Sequence, residues 1–201
     1  DMAFDKMNLG LSYMEHGLYS EAAIQFNEAL DNRTDNLDLQ FLMDFFPDDS
    51  TLAQNMSDAF SFQIDYDTTG ASYFYLALFN SSKNEAYGFI QSYIYNQPSD
   101  LRGLLLYSNL LFENGEHFDA LFQYQKVLWL NPQNLDAQIG VGLCLYHLGE
   151  FRDAASALRR SLKIDPYNHI SYHYLGLSLM ADENFREAIP SLTQSLLLDP
   201  E

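Results

Sequence analysis

The side chains most able to do chemistry are few, and each lacks a partner. His169 and His173 stand four residues apart, so both imidazoles fall on one face of a helix, as the first two ligands of a zinc ion would. No Glu lies between them, and His147 is expected about two turns away along a helix of its own, so both read as surface or groove histidines, with no metal. Asp65, Asp67, Thr69 and Gly70 imitate the opening of a calcium loop. Its twelfth position is Leu76, where a bidentate Glu is required, so the stretch reads as an acidic turn before a helix. Cys144 is the single cysteine and lies between Leu143 and Leu145, which makes it an inert core thiol and rules out an internal disulfide or a thiolate cluster. The sequence has no glycine-rich phosphate loop, no GxSxG elbow and no HExxH pair, and its carboxylates are scattered. These residues predict neither catalysis nor a cofactor.

Charge narrows the partners. The formal net charge is −18, and residues 1–100 carry 16 acids against 3 bases, whereas residues 101–201 carry 12 against 7. A phosphate backbone would be repelled, so no nucleic acid is expected. The acids serve solubility, and a basic partner docking on the amino-terminal half is the sharper reading. Apolar residues make up 47% and aromatic residues 15%, enough for a packed core. No apolar run approaches the roughly 20 residues of a membrane helix, and the amino end shows no secretory h-region. Together with the lone cysteine this predicts an intracellular, cytoplasmic protein without membrane insertion, whose sequons at Asn32, Asn55 and Asn80 stay unglycosylated. A first residue of Asp1 in place of Met suggests a piece of a longer chain.

The elements that must position these residues follow from a period. Pro98, Pro132, Pro166 and Pro200 are each 34 residues apart. Ala86, Ala120, Ala154 and Ala188 keep the same interval, each preceded by an acid: Glu85, Asp119, Asp153 and Glu187. Within one unit, Val141, Gly142 and Leu145 share a helix face, Gly149 interrupts, and Phe151, Ala154, Leu158 and Ser161 mark a second helix that Pro166 closes. Small Gly142 and Ala154 let the two helices approach. The next unit repeats this with Tyr172, Leu175, Gly176, Leu179, Phe185, Ala188 and Leu192, and Pro190 is expected to kink its second helix.

These residues resemble the tetratricopeptide repeat, a 34-residue helical hairpin. Leu104, Tyr107, Leu111, Gly115, Ala120, Tyr124 and Pro132 fit it, with Ser108 at the small position. Tyr73, Phe74, Ala77, Ala86, Ile90 and Pro98 fit more weakly, and bulky Phe74 in place of Gly suggests wider helix spacing. Leu9, Gly10, Tyr13, Gly17, Tyr19, Ala22, Phe26 and Ala29 form a further unit. The resemblance implies an all-α, right-handed superhelical solenoid of antiparallel hairpins over residues 1–201. Its units are about 3–36, 67–100, 101–134, 135–168 and 169–201, with a degenerate hairpin at 37–66. In that hairpin Leu37–Phe46 reads as one helix, Pro47-Asp48-Asp49-Ser50 as a turn, and Leu52, Met56, Phe60 and Gln63 as a second helix. Trp129, near the end of a second helix, reads as packing between repeats.

The resemblance further implies a concave groove lined by first helices. Its positions here are Tyr75, Leu78 and Phe79; Leu105, Asn109 and Phe112; Ile139, Leu143, Tyr146 and His147; and Ile170, His173, Tyr174, Leu177 and Met180. An apolar, aromatic strip on a solvent-facing side marks a binding site. The family's carboxylate clamp of Lys, Asn and Arg is not matched: its positions hold Met7, Leu11, Leu105, Asn109, Asp136, Gly140, Ile170 and Tyr174, and only Asn109 fits. The expected function is a protein-interaction module, adaptor or scaffold, binding an apolar segment of a protein partner. The competing functions are a scaffold that self-associates through an uncapped carboxyl-terminal hairpin, a secretion or translocation chaperone, and the regulatory domain of a larger enzyme.

Overall fold

A computed structural model describes residues 2–31, 50–65, 67, 70–79 and 83–200. The expected helix at Leu37–Phe46, the turn at Pro47–Asp49, Thr69, and the sequons at Asn32 and Asn80 lie outside the described residues. Eleven helices and no strand occur among the described residues. The chain divides into two compact units, residues 1–106 and 107–201.

In the first unit α1 (Met2–Glu15) and α2 (Tyr19–Asp31) form a hairpin, followed by α3 (Ser50–Gln63), α4 (Ala71–Phe79), α5 (Lys83–Asn96) and the start of α6 (Leu101–Glu113). Asp67 starts α4, because its two carboxylate oxygens accept the backbone N–H groups of Gly70 at 2.9 Å and Ser72 at 2.6 Å. Its acid thus serves as a helix cap. The core is aromatic: Phe60 stacks on Tyr75 at 4.6 Å between ring centroids, and the Tyr75 hydroxyl donates to the Phe26 carbonyl at 2.9 Å. Phe74 is also buried, between the rings of Tyr75 and Tyr93.

The second unit contains the rest of α6, then α7 (His117–Leu130), α8 (Leu135–His147), α9 (Phe151–Ile164), α10 (His169–Ala181) and α11 (Phe185–Leu198). The 34-residue period is visible in its joints. Asn134 and Asn168 cap α8 and α10, each accepting a backbone N–H at 2.8 Å through its side-chain oxygen. Gly115 and Gly149 both turn the chain at φ +82°, which a residue without Cβ adopts without strain. The small positions do what their size requires: a Cβ on Gly142 would lie 2.6 Å from Cγ of Leu158, and one on Gly176 2.5 Å from Cγ of Leu192. Leu158 is buried in a cluster with Ala155, Leu175, Leu179 and Ala188. Helix α11 runs unbroken through Pro190.

Trp129 departs from expectation. It is 84% exposed and does not pack between repeats. Its place on α7 is beyond Tyr124 and Val127, which are buried, so the helix turns it away from the core.

Candidate functional site

The groove positions do not share one environment. In the first unit Tyr75 is 0% exposed and Leu105 4% exposed, so neither can meet a partner. The cause for Tyr75 is the ring cluster of Phe26 and Phe60, which fills the face of α4 that the repeat pattern leaves open. Leu105 lies in the first half of α6, where the carboxyl end of α2 reaches the helix: Nη2 of Arg102 donates to the Leu30 carbonyl at 3.2 Å. Leu78 and Phe79 are half-buried, with Phe79 stacked on Phe60 at 5.9 Å.

Arg102 belongs to a buried polar joint there. Its Nε and Nη2 donate to the two Asp100 oxygens at 3.0 and 2.5 Å. Burial alone would push the Asp100 carboxyl up, but the guanidinium outweighs it and holds the carboxyl below its usual range.

The second unit brings its groove positions together. Tyr146 meets Tyr174 edge-on at 5.4 Å between centroids, and His147 meets Phe112 edge-on at 5.5 Å. His173 meets the Tyr174 ring at 5.3 Å. Along the same first helices Ile139, Leu143 and Leu177 are half-buried, while Ile170 and Met180 are exposed. Asn109 is half-buried and accepts the Tyr124 hydroxyl at 2.7 Å, so its oxygen holds the hairpin of α6 and α7.

Two members of this ring network come from second helices and were not foreseen as site residues. His117 stacks on His147 at 4.6 Å with 18° between planes, and Phe151 packs on Tyr146 at 5.8 Å. Both open a second helix, and positions 117, 151 and 185 recur at the 34-residue period, which is the signal that locates them. Burial, then the neighbouring His147, pushes the His117 imidazole below its ordinary range. Its Nδ1 is buried and has no hydrogen-bond partner among the described residues.

The other chemical candidates are held structurally. His169 places Nδ1 at 2.7 Å from the Asp199 carboxylate. Cys144 is fully buried, and burial pushes its thiol up to about 12. Among the described residues no group of three His, Cys, Asp or Glu could hold a metal ion, and no helix is long and apolar enough to cross a membrane.

This geometry has known counterparts. Solved structures of MamA are similar to it: MamA of MSR-1 at 18% identity, covering 98% of this chain and 97% of that one with a TM-score of 0.56. MamA of AMB-1 matches at 17% identity, 98% and 92% coverage and 0.56, and a double mutant of MamA of RS-1 at 14%, 100% and 96%, and 0.59. At such identities the likeness is one of fold. No curated protein matches the sequence. The tetratricopeptide-repeat family model matches residues 108–169, which span the end of α6, all of α7, α8 and α9, and the first residue of α10. Residues 108–169 are thus similar to the tetratricopeptide repeat, and the described residues of the chain share its all-helical fold.

Proposed function

We propose that the second unit is a protein-interaction module whose first helices bind an apolar or aromatic segment of a partner protein, as part of an adaptor or scaffold. The observation that carries this is the ladder of rings from Phe112 through His147, Tyr146 and Tyr174 to His173, with exposed Ile170 and Met180 beside it. Rings that touch one another and remain partly open to water supply rigid apolar area at low conformational cost, the property of binding hot spots. Helices α8 and α10 contain no Lys or Arg, and the whole chain is at −18, so a partner segment with basic residues flanking its apolar ones is favoured. A peptide library selected on the protein tests this. Apolar or aromatic peptides should dominate, and Tyr146→Ala with Tyr174→Ala should weaken the best of them by about 30-fold or more at unchanged helix content. Equal affinity for the double variant removes the ladder from the site.

A second reading rests on α11. Ile189 is 66% exposed, whereas its counterpart one repeat earlier, Ala155, is 3% exposed and lies in the cluster that α10 completes. With Phe185 and Leu196 also exposed, α11 offers an uncovered stacking face to a second copy. A mass in sedimentation equilibrium that stays monomeric at high concentration refutes it.

A further inference from the structure

The cations of the second unit are segregated. All six Lys and Arg of residues 107–201 lie on second helices: Lys126 on α7, Arg152, Arg159, Arg160 and Lys163 on α9, and Arg186 on α11. Two of them are already matched, Arg152 to Asp182 at 2.8 Å and Arg159 to Glu187 at 2.6 Å. Lys126, Arg160 and Lys163 have no carboxylate partner among the described residues; Arg160 donates only to Ser156 at 3.2 Å and Lys126 lies 6.0 Å from the Phe122 centroid.

The same layer carries three exposed rings on one helix. Phe118, Phe122 and Trp129 are all exposed and stand four and seven residues apart on α7, so they fall within about 40° of one another around the helix. Helix α8 packs against both α7 and α9, so these two second helices flank it. One period on from Trp129 is Lys163, and one period on from Lys126 is Arg160. The last ring of the stripe, Trp129, thus has the unmatched Lys163 at its corresponding place on α9.

We infer that the outer face of α7 and α9 docks an acidic protein segment bearing bulky apolar side chains, separately from whatever occupies the first helices. Exposed rings are stabilised only by apolar cover, and the unmatched ammonium and guanidinium groups by carboxylates. Trp and Arg are both enriched in protein–protein hot spots. A nucleic acid or an anionic bilayer would present extended negative charge to a chain at −18 and be repelled. A short acidic segment meets only the local field, because charges beyond about 8 Å are screened at physiological salt.

Trp129 is the chain's single tryptophan, so its emission reports on this face directly. The whole protein is titrated with a short synthetic peptide of alternating Glu and Leu or Phe. A saturable blue shift is expected, weakening as salt rises. Arg160→Glu with Lys163→Glu should reduce the affinity about 10-fold or more, while Tyr146→Ala with Tyr174→Ala should leave it unchanged. Lys163→Glu alone should give an intermediate loss and serves if the double variant is poorly folded. The inference is overturned by no shift, by an equal response to the Gln-for-Glu peptide, or by equal affinity of the charge-reversed variant. A stronger response to phosphatidylserine vesicles or to polyuridylate would overturn it in favour of a membrane or an RNA.

Discussion

Replacing Gly142 with Ala tests the packing that positions the ring ladder. The added Cβ would lie 2.6 Å from Cγ and 2.7 Å from Cδ2 of Leu158, closer than real carbon atoms approach. Leu158 is fully buried among Ala155, Leu175, Leu179 and Ala188, so its branch cannot swing into water. Overpacking costs about 1–3 kcal/mol, and a contact this short on the branch carbon belongs to the upper part of that range, about 2–3 kcal/mol, while Ala in a helix interior gains about 1 kcal/mol over Gly. Packing wins, and the net loss should be about 1–2 kcal/mol, a fall of about 2–8 °C in midpoint for a chain of this size. The assay is urea unfolding followed by far-ultraviolet circular dichroism, since the exposed Trp129 reports little on the core.

A double-mutant cycle separates the clash from any general effect. Leu158→Ala alone should cost about 2–5 kcal/mol through the cavity it leaves. In the double variant the methyl introduced by Gly142→Ala occupies part of that cavity, so the combined loss should fall short of the sum of the two by about 1–2 kcal/mol. Additive losses, or a Gly142→Ala protein as stable as the parent, would show that α8 and α9 are not held together by this close approach.

Three further outcomes follow from other joints. Glu183 takes the turn position of Gly115 and Gly149 at φ +60°, so Glu183→Gly should raise stability by about 1 kcal/mol, read from the same urea curves. Arg102→Met leaves the Asp100 carboxylate buried without its cation and should cost about 3–5 kcal/mol, with Asp100→Asn added to it restoring a large part. The folded state holds the His117 imidazole below its ordinary range, so the unfolded chain binds the proton first as pH falls through about 6.5. Stability should therefore drop from about pH 7.5 to about pH 5.5, and His117→Gln should reduce that drop; an unchanged pH dependence refutes the assignment.

The period was legible because it is written in positions that touch the neighbouring helix. Gly142, Ala154, Leu158 and Gly176 recur since each close approach admits only a small range of volumes, and the structure buries all four where helices meet. The groove positions were legible only where the hairpins keep that pattern. In the second unit they form a ring network; in the first, Tyr75 is enclosed by Phe26 and Phe60, residues that themselves read as ordinary core positions. Nothing in the spacing of α4 reveals that its open face is filled, because the filling comes from side chains 15 and 49 residues earlier in the chain. Trp129 was misplaced for the complementary reason. Aromatic residues are core on average, and only its offset from Tyr124 and Val127 around α7 shows that it faces outward.

The same reasoning explains why the two candidate surfaces of the second unit differ in charge. A 34-residue repeat constrains the inward sides of its helices and leaves the outward sides free to diverge. The first helices α8 and α10 use that freedom for rings and histidines, with His147 and His173 exposed and no permanent cation; the second helices α7 and α9 use it for Lys126, Arg160 and Lys163 beside Phe118, Phe122 and Trp129. Reversal of Lys163 alters the second surface and leaves the first intact. A module that joins a basic apolar segment to an acidic one would therefore lose the acidic one on Lys163→Glu while keeping the basic one, and a single pair of peptide titrations on that variant decides whether the surfaces act independently.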